Sequence, residues 1–278
     1  MFEREKEKLA ADGMYLRYYH KEKRSNKELV MIAVGQNGLA LKYASPELKN
    51  NRDVVLKAVS QNGWALEYAS DELKNDKGVV LEATVGLGDA LRFASPELKA
   101  NKDFVLEVIS NDAFALRFTS DELRNDKDVV LKAVSEQGWI LCFASSKLKA
   151  DKAVVLKAVS DDGWALQYAN NELKTNRDIV LKAVNRNGNA LQYASDKMRA
   201  DKDIVLTAVG QNGVLLQYAS DELRNDKDVV LAAVSENGYA LQFASSERKA
   251  DKDVVLKAVS RDKNALKYAS SELRKTLD

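Results

Sequence analysis

This sequence of 278 residues contains few of the residue types from which catalytic and metal sites are usually built. It has one cysteine, Cys142, and one histidine, His20. A single cysteine cannot form a disulfide within the chain, which favours a reducing compartment. No spacing of Cys and His suits zinc, and no phosphate-binding glycine motif occurs. We therefore expect no catalytic residue, no metal and no cofactor, and we predict that the protein is not an enzyme.

Proline, long apolar runs and an excess of one charge are also missing. Only Pro46 and Pro96 occur, and no apolar run approaches the roughly 18 residues that span a bilayer. The charged amino-terminal segment lacks the apolar region of a secretory signal. The 43 basic and 42 acidic residues leave a net charge of +1, which gives no bulk attraction to nucleic acid or anionic lipid. These absences predict an intracellular, cytoplasmic protein without a membrane partner.

A unit of 25 residues recurs from one end of the chain to the other. Residues 51–75 read NRDVVLKAVSQNGWALEYASDELKN, and residues 226–250 read DKDVVLAAVSENGYALQFASSERKA. Eleven such units follow one another without insertion, and a fixed period of this length is typical of a solenoid. We predict an all-α solenoid, an elongated rod or superhelix, with this organisation: a single repeat domain over 1–278, a divergent capping repeat at 1–25, ten regular repeats at 26–275 and a tail at 276–278.

Within a repeat, numbered from position 1 to position 25, the sequence predicts two helices and a short turn. Position 1 is Asn or Asp from the second repeat onward, which favours a helix start. Apolar residues at positions 4, 5, 8 and 9 have helical spacing, so we predict a first helix over positions 2–11. The frequent glycine at position 13 indicates a helix C′ residue. A second helix is predicted over positions 14–20, and Pro46 and Pro96 then open a short third turn.

The pattern D-K-x-V-V-L-x-A-V-x-x-N-G-x-A-L-x-Y-A-S-x-E-L-K resembles a tandem-repeat family catalogued as a domain of unknown function, the 4116 family. The resemblance covers nearly the whole chain, and it implies the repeat fold but supplies no catalytic residues. The first repeat departs most from the pattern, since Arg4, Glu5 and Lys6 replace apolar residues. The fourth repeat also departs, reading ATVGLGDA at 83–90.

The two ends of the array differ. Polar residues in the first repeat give a terminal unit the wettable outer face that it needs. The last repeat keeps Val254, Val255, Leu256 and Val259 and shows no equally polar cap. One alternative is therefore a structural protein that self-assembles head to tail through a heterologous contact.

Two columns of basic residues suggest a second alternative. Position 24 is always Lys or Arg, and position 2 is basic from the second repeat onward. A stripe of this kind could follow the phosphates of a nucleic acid. Acidic residues at positions 1, 3 and 22 interleave with it, however, and favour a solvated ridge that neutralises itself. Nucleic acid is thus the less favoured partner.

Positions 7, 11, 14 and 17 vary most between repeats, and solenoids commonly vary the surface that they display. Positions 14 and 17 share one helical face, and position 14 is often aromatic. Aromatic residues are enriched at binding hot spots, although position 14 could instead pack against the next repeat. We predict a non-enzymatic scaffold that binds a protein or peptide through these residues: Trp64, Phe114, Trp139, Trp164, Tyr239, Arg92, Arg117 and Gln167.

Overall fold

A computed structural model describes residues 2–277, and every element within these residues is helical. The chain forms two compact units, Met1–Glu136 and Gln137–Asp278, which we describe separately. The boundary between them falls inside the sixth repeat, and one continuous repeat domain stays a prediction. The all-α repeat solenoid that the sequence predicts is confirmed.

Each repeat begins with an α-helix over the predicted positions 2–11. Asn51 shows how it starts, because its side chain accepts a hydrogen bond from the amide of Val54 at 3.3 Å. The helix of the fourth repeat is shorter because Gly86, at φ 64°, turns the chain away from the helix. The first helices are Phe2–Ala11, Lys27–Gln36, Arg52–Gln61, Lys77–Thr84, Lys102–Asn111, Lys127–Glu136, Lys152–Asp161, Arg177–Arg186, Lys202–Gln211, Lys227–Glu236 and Lys252–Arg261.

The second element is a 3₁₀-helix over positions 13–18, not the longer helix over positions 14–20 that we predicted. Its backbone bonds join residues three apart, as from the Ala69 amide to the Leu66 carbonyl at 3.2 Å. The 3₁₀-helices are Gly13–Tyr18, Gly38–Tyr43, Gly63–Tyr68, Gly88–Phe93, Ala113–Phe118, Gly138–Phe143, Gly163–Tyr168, Gly188–Tyr193, Gly213–Tyr218, Gly238–Phe243 and Lys263–Tyr268.

A short third turn completes the repeat, and the residue at position 20 caps it in most repeats. Ser70 accepts from the amide of Leu73, while its own amide donates to the Lys49 carbonyl of the preceding repeat at 3.0 Å. Pro46 and Pro96 occupy the first helical position as predicted. The turns are Lys21–Arg24, Pro46–Lys49, Asp71–Lys74, Pro96–Lys99, Asp121–Arg124, Leu148–Ala150, Leu173–Thr175, Asp196–Arg199, Asp221–Arg224, Ser246–Lys249 and Ser271–Leu277.

The core of each unit consists of stacked layers of small and branched apolar side chains. In the seventh repeat Val154, Val155, Ala158 and Val159 are fully buried on the first helix, and Leu166 is fully buried on the 3₁₀-helix. The ring at position 18 is only half-buried in most repeats and lies at the edge of this core. The core therefore uses positions 15 and 16 of the second element and position 19, which directly follows it.

The glycine at position 13 serves close packing rather than the helix C′ conformation that we predicted. Only Gly86 has a positive φ within residues 2–277. A Cβ on Gly213 would lie 2.1 Å from the Ala233 carbonyl oxygen of the next repeat, and one on Gly38 would lie 2.2 Å from that of Ala58. At these glycines, successive repeats approach through a backbone contact that leaves no room for a side chain.

The glycine amide at position 13 usually donates to a side chain of the following repeat. Gly13 donates to Gln36 Oε1 at 2.7 Å, and Gly188 donates to Gln211 Oε1 at 2.7 Å. Asp161 accepts in the same way from Gly138. Gln36, Asp161 and Gln211 all occupy position 11, which we had grouped with the variable surface positions. In these repeats position 11 contributes to contacts between repeats.

Candidate interaction face

The side chains at position 14 remain at the surface of both units. Trp64, Trp139 and Trp164 are 47%, 36% and 37% exposed, while Phe114 and Tyr239 are half-buried. The residue before the 3₁₀-helix fixes this position, since Asn62 Oδ1 accepts from the Trp64 amide at 3.0 Å. Positions 14 and 17 lie one 3₁₀ turn apart, and position 18 adjoins them. We call the residues at positions 14, 17 and 18 the aromatic face.

In the amino-terminal unit, cations at position 17 lie over the aromatic rings. The Arg92 guanidinium is 5.8 Å from the centroid of Phe118, and Arg117 is 5.8 Å from that of Phe114. The rings of Phe114 and Phe118 meet edge to face at 5.7 Å. Three of the predicted site residues, Arg92, Phe114 and Arg117, are thus brought together around Phe118.

Trp64 lies on the same unit but makes a different contact. Its indole Nε1 donates to Asp89 Oδ1 in the next repeat at 3.1 Å. Asp89 occupies position 14, so neighbouring members of that column hydrogen-bond directly. An aspartate at this position thus has a partner across the repeat boundary.

The basic residues at position 24 turn toward the aromatic face in several repeats. Lys99 Nζ donates to the Arg92 carbonyl at 2.5 Å, and Arg124 donates to the Arg117 carbonyl at 3.1 Å. Burial, and secondarily the Arg92 charge, lowers the pKa of Lys99. The sequence interpretation missed this set because it grouped position 24 with position 2. Position 24 follows position 17 by seven residues, and this spacing could have indicated that the two positions lie close together.

Grooves recur where the third turn of one repeat meets position 18 of the next. One groove of about 520 Å³ is lined by Lys74 and Phe93, with Asp71, Glu97 and Pro96. A second, of about 300 Å³, lies between Arg199 and Tyr218 in the carboxy-terminal unit. Each groove combines a ring with a cation, and carboxylates stand at its margin.

In the carboxy-terminal unit the aromatic face is mostly uncharged. Trp164 meets Tyr193 of the next repeat at 5.7 Å, and Tyr239 meets Tyr268 at 6.1 Å. Trp139 meets Phe143 of its own repeat at 5.8 Å. Gln167 Nε2 donates to the Trp164 carbonyl at 3.2 Å. Rings therefore contact one another here, and Gln167 supports the backbone that carries Trp164.

Position 2 forms a separate ridge of ion pairs between repeats. Lys202 Nζ lies 2.8 Å from Asp226 and 3.0 Å from Asp228 of the next repeat. Arg177 makes the same pair of contacts with Asp201 and Asp203. The ridge neutralises itself as the sequence indicated, but position 24 lies apart from it.

We expect the ridge to stabilise the fold above about pH 4. The Lys202 hydrogen bond lowers the pKa of Asp226 in the folded chain. The pKa of an aspartate in an unfolded chain is about 3.9. The stabilisation is therefore present above that pH, and it is lost as the pH falls through the lower pKa of Asp226 in the folded chain. Asp226→Asn keeps a capping oxygen but removes the titrating charge. Its thermal midpoint should therefore fall less than that of the wild type between about pH 6 and pH 3.

Circular dichroism at several pH values measures this difference. Asp103→Asn is the matched control, because Asp103 occupies position 3 without an ion pair in the described chain. If the two variants have the same pH dependence, the ridge does not contribute to acid stability.

Neither a metal centre nor a membrane span is evident in the part of the chain that the structure describes. No group of three or more His, Cys, Asp or Glu residues between residues 2 and 277 could hold an ion. No helix in this range combines the length and the apolar character needed to cross a bilayer.

Comparison with known proteins identifies one family. A family model described as a domain of unknown function, DUF4116, matches the chain eight times, and most of the matches span about two of the 25-residue repeats. No curated protein and no solved structure matches the chain. The matched residues are 9–49, 26–74, 51–99, 76–124, 101–149, 151–199, 201–248 and 226–274.

Proposed function

We propose that this chain, which belongs to the DUF4116 family of tandem repeats, is a non-enzymatic scaffold that binds a protein or peptide along the aromatic face. The exposure of Trp64, Trp139 and Trp164 carries this proposal. Large rings on a rigid backbone can bury much area on a partner at little entropic cost.

The charges of the amino-terminal unit favour an acidic partner segment there. Arg92 and Arg117 lie beside Phe114 and Phe118, and Lys99 reaches the same face. Lys42 lies 5.7 Å from the centroid of Tyr68 in the same way. Carboxylates of a bound peptide would meet these cations while its apolar side chains contact the rings. We propose an extended acidic peptide as the ligand of this unit.

The two alternatives have weaker support. A nucleic acid would need free cations along the basic columns, but most of those at position 2 are paired with aspartates, as at Lys202. Head-to-tail assembly would use the last repeat, where Leu256 is 43% exposed. Lys263 stands there in place of the usual glycine, and its side chain would meet the carbonyl of a further repeat stacked in register.

Replacing Trp64, Trp139 and Trp164 together with alanine should weaken peptide binding by about tenfold or more, the usual effect of losing hot-spot aromatics. The probe is a peptide selected from a random phage-displayed library against the wild-type chain. We expect the selection to enrich acidic sequences. Fluorescence anisotropy of the labelled peptide gives the dissociation constants.

Val85→Ala is the matched control, because Val85 is 62% exposed and lies at position 10, outside the aromatic face. A second variant, Arg92→Ala with Arg117→Ala, tests the charge. Equal affinity of the tryptophan variant and the wild type would refute the proposed face. Selection of basic peptides would refute the acidic ligand while leaving a scaffold role in place.

A further inference from the structure

The first repeat contains a cavity of about 330 Å³, a size at the lower end of small-molecule sites. The wall includes three tyrosines, three cations and one carboxylate. These residues are Tyr15, Tyr18, Tyr19, Arg4, Lys8, Lys23 and Glu5.

Six of these residues replace small or apolar residues of the regular repeat. Where the first repeat has Lys8, Tyr15 and Tyr19, the third repeat has alanine. Where it has Lys23, the third repeat has Leu73. A wettable outer face, which we predicted for this repeat, would account for its charged residues. It does not require three rings around one cavity.

Two of the rings already have a cation of the protein over one face. Lys8 Nζ lies 5.0 Å from the centroid of Tyr15, and Lys23 Nζ lies 5.1 Å from that of Tyr19. Tyr15 also meets Tyr18 edge to face at 5.3 Å. A cationic ligand would compete with these side chains and would be repelled by them.

The charge balance of the cavity favours an anion. Glu5 is engaged by Lys23, which donates a hydrogen bond to it. Neither Arg4 nor Lys8 has an ion-pair partner among the described residues. Lys8 Nζ instead lies 3.5 Å from the Tyr15 hydroxyl. Burial raises the pKa of Tyr19, so its hydroxyl remains protonated near neutral pH.

We propose that this cavity binds a small organic anion, a phosphomonoester or carboxylate on a compact aromatic body. Lys8 and Arg4 neutralise the anionic group, and the Tyr15 hydroxyl donates a hydrogen bond to it. The body of the ligand lies against the tyrosine rings. The proposal does not depend on peptide binding by the aromatic face.

Isothermal titration with two probes of opposite charge tests this site. Phenyl phosphate should bind the wild-type chain, whereas phenyltrimethylammonium, of similar shape, should not. Lys8→Met and Tyr15→Phe should each weaken phenyl phosphate binding by about tenfold, because each removes a charge-assisted interaction. Lys157→Met removes an exposed lysine of the seventh repeat and should leave the affinity unchanged.

Tyr15→Phe keeps the ring, so it still tests the site if circular dichroism shows that Lys8→Met is unfolded. No binding of phenyl phosphate at millimolar concentration would overturn the proposal. Tighter binding of phenyltrimethylammonium would overturn it in favour of an aromatic cage for cations. An equal loss in Lys157→Met would show that the anion binds non-specifically.

Discussion

Gly213→Ala is expected to destabilise the carboxy-terminal unit strongly. The added methyl group would lie 2.1 Å from the Ala233 carbonyl oxygen, far inside a normal contact. The two repeats must move apart to admit it. Overpacking of this kind lowers the free energy of unfolding by about 2–3 kcal/mol. We expect the thermal midpoint to fall by about 4–12 °C, measured by circular dichroism.

Gly210→Ala is the control for this prediction, three residues away in sequence. Gly210 is exposed in the first helix of the same repeat, and a Cβ added there would have nothing within 4 Å. Alanine should stabilise the helix there by about 0.5–1 kcal/mol. Opposite signs for the two variants are expected. A neutral or stabilising Gly213→Ala would mean that position 13 does not hold the repeats in contact.

Leu166→Ala should have the largest effect of any single truncation considered. Leu166 is fully buried at position 16, which is leucine in every repeat. Removing it leaves a cavity between repeats and should cost about 2–5 kcal/mol. The midpoint of urea unfolding, followed by circular dichroism, gives the change.

Leu256→Ala removes the same atoms from the last repeat, where the side chain is 43% exposed. It should cost less than about 1 kcal/mol, because less surface leaves the core. If Leu166→Ala and Leu256→Ala lower the free energy of unfolding equally, the description of the core as stacked layers with a shared interior is wrong.

The sequence shows that the first repeat departs from the pattern, as at Arg4 and Lys6, and the capping role that we assigned to it stays a prediction. The cavity formed with Tyr15 and Tyr19 could not be predicted, because it depends on where the 3₁₀-helix directs their rings. The aromatic face shows the same division, since the exposure of Trp64 was left open against burial under the next repeat.

By itself, the sequence determined the repeat and its first helix, because the period of 25 residues and the apolar spacing are local properties of the chain. Asn and Asp at position 1 set the helix starts for the same reason. Only the tertiary structure decided why position 13 is glycine, since the contact that excludes a side chain, such as Gly213 against Ala233, joins two repeats. It also separated the cations of position 24 from those of position 2, because a side chain's neighbours are fixed by how the layers stack.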